Sequence, residues 1–255
     1  MSITKNLKNL SEQEMTSLCE EAGIPKWRSL YKIAGIAAIM MLILIPIQIT
    51  VFTIWPMPKD MIGWFQLFQS SWILGLLHLD ILYIINNTIV AILYLAFYMS
   101  LRRKNEAFLL LALLAGLLAT AAYYSSNPAF DMLSLSRQFT MSTLEPERIA
   151  LIAAGQTLIT QWKGTSFDIY YILSAICLII MAGAMLKSSI YGKTMGAIGL
   201  SSGILMLIPS SAGTLGLLFS LASLVPWIVF SVLAAKKFLR LESVPDKSRI
   251  LASIR

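Results

Sequence analysis

Long apolar stretches, separated by short polar or proline-containing breaks, organise this chain. The first covers residues 30–54, with Trp27, Arg28, Tyr31 and Lys32 at its start and Trp55 just after it. Aromatic and basic side chains at the ends of an apolar run mark the water interfaces of a bilayer. About 20 apolar residues in a helix cross ~30 Å of hydrocarbon, so this run spans with some tilt. Pro46 predicts a kink, with Gln48 just beyond it. Pro56 and Pro58 end the helix, and Asp60 is placed to cap a short amphipathic stretch carrying Trp64, Phe65 and Phe68 in the outer interface.

A second run, 72–101, stops at Arg102-Arg103-Lys104, and a third, 107–124, follows after a few polar residues. So short a connection makes the two helices antiparallel neighbours. Residues 125–165 read differently. Asn127-Pro128 is followed by an amphipathic stretch at 132–141, then by a helix with Pro146 in its first turn and apolar positions at Ile149, Ile152, Leu158, Ile159 and Trp162. That spacing approximates i, i+3, i+4, which predicts helices lying against the protein as an outer cap. Runs at 166–186, 191–209 and 213–235 complete six spans, the last two divided by Pro209-Ser210-Ser211-Ala212-Gly213. Before them, residues 1–29 are polar, with a capping-box pattern at Ser11-Glu12-Gln13-Glu14 and a short helix expected to Ala22. This segment is too long and too acidic for the start of a secretory signal. The expected architecture is an all-α, polytopic membrane protein, with a six-helix domain over 30–240 and a basic tail over 241–255.

Composition agrees. Of 255 residues, 57% are hydrophobic and 13% charged, against roughly 45–50% and ~25% in soluble domains. So few charges cannot cover a soluble enzyme, and so apolar a chain is not disordered. The net charge of +7 does not point to nucleic acid, because the basic residues are not gathered among aromatics on a polar module. It reports orientation instead. Placing the N-terminus inside puts Lys5, Lys8, Lys26, Arg28, Lys32, Arg102, Arg103, Lys104, Lys187, Lys193, Lys236, Lys237, Arg240, Lys247, Arg249 and Arg255 on the cytoplasmic side. Only Lys59, Arg137, Arg148 and Lys163 remain outside. Excess Lys and Arg on one side is the positive-inside signature, so both termini are expected in the cytoplasm and the chain in the cell membrane.

Ionisable and amide side chains at membrane depth are the functional candidates, because burying them is costly. The second span carries His78, Asp80, Tyr83, Asn86, Asn87 and Thr88. Asp80, Tyr83 and Asn87 are three and four residues apart and share a helical face, whereas His78 points elsewhere. Gln48, Asp80, Tyr83 and Asn87 are expected to line a polar pocket open to the outside, with Arg137, Trp162, Asp168, Tyr170 and Tyr171 contributed by the loop and the start of the fourth span. The competing reading makes Asp80 an interfacial cap or ion-pair partner and the asparagines interhelical glue, worth ~0.6–2 kcal/mol each. One histidine and two distant cysteines, Cys19 and Cys177, offer no zinc or haem site and no disulfide framework. No cofactor is expected. Gly199 and Gly203 form a G-x-x-x-G spacing suited to tight internal packing or to a homo-oligomer contact. Hydrolase, zinc-peptidase and P-loop signatures are absent from the sequence.

Several short segments carry a resemblance. They are Tyr31-Lys32-Ile33-Ala34-Gly35, Leu101-Arg102-Arg103, Ser126-Asn127-Pro128-Ala129-Phe130, Leu135-Ser136-Arg137-Gln138-Phe139, Gln161-Trp162-Lys163-Gly164-Thr165 and Gly213-Thr214-Leu215-Gly216. Over about residues 30–240 the chain resembles a bacterial and archaeal family of multi-pass membrane proteins of unknown function. The resemblance implies a helical integral membrane domain and carries no catalytic residues. The leading expectation is a non-enzymatic protein binding a lipid, an amphipathic ligand or a membrane partner at the outer pocket. A small transporter or channel, and an intramembrane enzyme acting on a lipid through Asp80 with His78 or Asp168, are the alternatives.

Overall fold

The structure is a computed structural model, described here for residues 24–244. The helix expected around 11–22 and the tail beyond 244 lie outside the described residues. Among those described, all regular structure is helical: α1 (Ile24–Ile54), α2 (Met61–Ser70), α3 (Trp72–His78), α4 (Ile81–Leu101), α5 (Glu106–Ser126), α6 (Ala129–Met141), α7 (Glu145–Trp162), α8 (Thr165–Met185), α9 (Gly192–Leu205) and α10 (Gly213–Ser243). Five helical stretches are long and apolar enough to cross a membrane: Lys26–Ile54, Ile81–Leu101, Glu106–Met141, Glu145–Met185 and Gly213–Ser243. In the third and fourth of these, α5 and α8 are the strongly apolar parts.

Six helices close a ring, in which α1 packs on α4, α4 on α5, α5 on α8, α8 on α9, α9 on α10, and α10 on α1. Their outward faces are as apolar as their inward ones. Phe108, Leu111, Leu114 and Leu118 are exposed along α5, and Leu215, Leu218, Leu221 and Val225 along α10. A helix apolar all round suits a lipid surrounding. Between such helices small residues permit close approach. Ala34 and Ala38 of α1 and Ala234 and Ala235 of α10 are all buried, and Gly35 lies against Leu239. Gly199 meets Ala182 and Phe230, while Gly203 meets Ile179, so this face of α9 is filled within the chain by α8 and α10. At the end of the ring carrying Arg102 and Lys237, the centre is solid: Phe97 packs on Phe230 (5.5 Å), Phe238 (4.8 Å) and Tyr191 (5.5 Å).

The run expected as one helix over 72–101 is broken. Asp80 adopts the left-handed conformation (φ 60°, ψ 32°) between α3 and α4. Aspartate tolerates this region better than most residues because its short polar side chain can bond locally. Asn127 Nδ2 donates to the Leu79 carbonyl (2.7 Å), satisfying an acceptor at the break. The 21 residues of α4 alone reach ~31 Å at 1.5 Å per residue, long enough to cross a bilayer without α3. Helix α3 joins α2, α6 and α7 in a second apolar layer built on Met61, Trp64, Phe65, Phe68, Leu76, Leu79, Met132, Phe139 and Trp162. Asp60 caps α2 as the sequence suggests, accepting from Gly63 N (2.7 Å). Ser136 Oγ of α6 donates to the Phe65 carbonyl (2.9 Å), tying α6 to α2. On α7 the spacing misleads in part: Ile149 is exposed, and Gly155 is the residue that seats against Met61 and Phe65.

Candidate functional site

A cavity of about 170 Å³ occupies the half of the ring next to the second layer. Its walls come from four of the six ring helices and from Met206, the residue just past α9. Helix α1 contributes Leu44, Ile45 and Gln48, α4 contributes Leu82, Tyr83, Asn86, Asn87, Val90 and Tyr94, and α8 contributes Tyr170, Tyr171 and Ser174. Helix α10 adds Leu217, Ser220, Leu221, Ser223, Leu224 and Trp227, and Met206 at the end of α9 completes the lining. Of the residues the sequence nominates, Gln48, Tyr83, Asn87, Tyr170 and Tyr171 therefore meet in one place. The α10 set escapes sequence reasoning, although Ser220, Ser223 and Trp227 are three and four residues apart and share one helical face.

Gln48 is almost fully buried, and its Nε2 donates to the Leu77 carbonyl (3.1 Å). Asn87 Nδ2 donates to the Tyr83 carbonyl (2.9 Å), and its side chain also reaches the Tyr170 hydroxyl. Gln48 Oε1 and Asn86 Oδ1 are buried without a hydrogen-bond partner. Orphaned acceptors of this kind are uncommon and call for water or a ligand. Across the α8–α10 wall the Tyr171 and Ser220 hydroxyls bond at 2.8 Å.

Asp80, Trp162, Asp168 and Arg137 do not line the cavity. Asp80 sits above it, one residue outside α4, in electrostatic reach of Tyr83, Tyr123 and Tyr170. Burial pushes its carboxyl up to about 7, while the Lys163 ammonium pulls in the opposite direction. Tyr83, Tyr123, Phe167, Tyr170 and Tyr171 form a continuous aromatic cluster between this carboxyl and the cavity, with centroid spacings of 4.9–6.5 Å. Asp168 instead accepts from Ser211 Oγ and pins the 206–212 loop to the first turn of α8. Arg137 is exposed on α6. His78 is fully buried, stacked on Phe52 (5.8 Å) and edge-on to Trp64 (6.4 Å), with neither ring nitrogen hydrogen-bonded. Burial lowers its pKa below the ordinary value, so the imidazole is neutral at pH 7.

Asp80, His78 and Asp168 thus occupy three separate surroundings. Among the described residues no group of three or more His, Cys, Asp or Glu side chains is arranged to hold a metal ion. Comparison with known proteins returns no match, whether to family models, to curated proteins or to solved structures.

Proposed function

We propose that this chain is an integral protein of the cell membrane whose six ring helices cross the bilayer, and that it binds a lipid or other amphipathic ligand in the outer half of the ring. The orientation rests on charge. Arg102, Arg103, Lys104, Lys187, Lys193, Lys236 and Lys237 gather at one end of the ring, which the positive-inside rule places in the cytoplasm together with both termini. Helices α2, α3, α6 and α7 then form the outer cap. The 14 residues of α9 reach only ~21 Å, and the 206–212 loop completes that traverse. A cysteine replacing Lys104 is expected to react with an impermeant maleimide only in inside-out vesicles, and one replacing Met141 only in intact cells, in a chain whose native cysteines are removed. The reverse pattern would invert the topology.

The cavity itself carries the ligand reading: a partly open space with amides on α1 and α4, leucines and two serines on α10, and aromatic packing beneath it. The Phe97–Phe230–Phe238 packing beneath it offers no continuing polar path, so a transporter reading gains nothing from this geometry. Mass spectrometry of protein extracted in mild detergent is expected to find a co-purifying amphiphile. Ser223→Leu adds a larger side chain to the buried cavity wall and is expected to reduce that occupancy at least fivefold. An empty wild type, or undiminished occupancy in Ser223→Leu, sinks the proposal.

A further inference from the structure

We infer that the cavity takes the uncharged, hydroxyl-bearing head group of an amphiphile, seated on Gln48 and Asn86, with its tail leaving between α8 and α10; this rests on the lipid-binding reading above and specifies its ligand. The polarity of the vacant hydrogen-bonding groups comes first. Gln48 Nε2 is committed to the Leu77 carbonyl, which fixes the orientation of the amide, because only the nitrogen can donate there. The atom left over, Gln48 Oε1, is an acceptor, and so is Asn86 Oδ1; both are buried and unpartnered. Asn87 Nδ2 is committed to the Tyr83 carbonyl. The orphan whose orientation is fixed, Gln48 Oε1, accepts, so the ligand must donate to it, while the Asn86 amide can meet a ligand group that donates or accepts.

Charge narrows the class. No Lys, Arg, His, Asp or Glu lines the cavity. A phosphate head group wants bidentate cations or clustered N–H donors, and neither is present. An ammonium head group would find no carboxylate here, since Asp80 lies beyond the Tyr83–Tyr123–Tyr170 cluster. The aromatic rings of the lining offer it only cation–π attraction, which leaves Gln48 Oε1 unmet by a quaternary ammonium. Hydroxyl groups donate without charge, and Tyr170, Tyr171 and Trp227 offer ring faces to the carbon skeleton that bears them. A single water needs ~10–15 Å³ of such space; about 170 Å³ holds a head group and its first methylenes but not two whole acyl chains.

The exit follows from the short α9. Past Leu205 no helix stands between α8 and α10, and Leu217 and Leu221 line the cavity while remaining 52% and 58% exposed. They form an apolar rim through which a chain reaches the surrounding lipid, beside the Tyr171–Ser220 hydrogen bond.

The test uses the full chain in phosphatidylcholine nanodiscs doped equally with a diacylglycerol, a monoglycosyl diacylglycerol or phosphatidylglycerol, with retained lipid read by native mass spectrometry. Wild type is expected to keep the two uncharged, hydroxyl-headed lipids at least tenfold over phosphatidylglycerol. Gln48→Leu should bring that ratio to within about threefold. Should Gln48→Leu not fold, Asn86→Leu, which leaves the Gln48–Leu77 bond in place, is expected to cut the ratio in the same direction. Equal retention of phosphatidylglycerol, or a ratio unmoved by the folded variants, overturns the head-group assignment and leaves lipid binding standing. Retention of no lipid of any kind overturns both.

Discussion

Gly116→Leu is expected to abolish the folded bundle. Three ring helices meet at this residue. A Cβ built on Gly116 would lie 2.5 Å from Tyr94 Cδ2 of α4 and 2.8 Å from Cys177 Sγ of α8. Both neighbours are buried, at 4% and 0% exposure, so neither side chain has a free direction in which to retreat. Overpacking a core by even a methyl or two costs ~1–3 kcal/mol, and leucine adds three carbons beyond that Cβ. Relief requires α5 to leave α4 or α8, and this separation would open the aromatic cluster above the cavity as well. Against a total stability of about 5–15 kcal/mol for an ordinary domain, that is a large share. The monodisperse peak in size-exclusion chromatography should be lost for Gly116→Leu, and the thermal midpoint should fall clearly for Gly116→Ala. Gly183 on α8 is the control. A Cβ added there would meet no atom within 4 Å, so Gly183→Ala should gain ~0.5–1 kcal/mol through backbone entropy. If Gly116→Ala behaves like Gly183→Ala, the three helices are not packed as described.

Much of this fold is visible in the apolar pattern, because a spanning helix has to be apolar over its whole length. The pattern is blind where a boundary depends on a single backbone conformation. Residues 72–101 are apolar on both sides of Asp80, so hydropathy reads one helix; the left-handed turn at Asp80 and the Asn127–Leu79 hydrogen bond divide it and send α3 to the second apolar layer. The ends of α5 and α7 are readable because Asn127-Pro128 and Lys163-Gly164 interrupt the chain in composition as well as in conformation. On the site, Gln48, Tyr83 and Asn87 stand out as amides and a phenol within apolar runs, and these are the residues that converge on the cavity. Arg137 and Asp168 stand out for the same reason, yet charge at a helix end is compatible with solvent or a loop hydroxyl, and those are the surroundings they occupy. Ser220 and Ser223 escape notice because serine is cheap in a membrane helix, where it can return its proton to a carbonyl one turn back, as Ser223 does to Ser220 (2.7 Å).

His78→Phe is expected to raise the thermal midpoint, and the gain should grow as the solution is acidified. Both imidazole nitrogens are buried without partners, and an unsatisfied buried polar group costs ~1–3 kcal/mol. A phenyl ring keeps the stack on Phe52 and the edge contact with Trp64 while removing both orphaned atoms. The pH dependence has a definite sign. In the folded chain His78 titrates below its ordinary value near 6.5, so the unfolded chain takes up its proton first. Stability is therefore lost as pH falls from about 6.5 through the folded value. Asp80 works in the opposite sense. Its carboxyl is raised from near 3.9 when unfolded to about 7 when folded, so the folded chain holds that proton longer and stability declines as pH rises between those values. The two effects oppose each other below about pH 6.5, down to the folded value of His78, and the wild-type profile should be shallower there than that of either variant. Removing either group unmasks the other. His78→Phe should lose stability steadily as pH rises from 4 to 7 and show no acid loss. Asp80→Asn keeps the left-handed turn, which asparagine tolerates well, and should lose stability below pH 6.5. Thermal scans of the three proteins at half-unit pH steps decide it. A lower midpoint for His78→Phe at neutral pH would show that the imidazole nitrogens are bonded after all, to water or to a ligand held between the second apolar layer and α1.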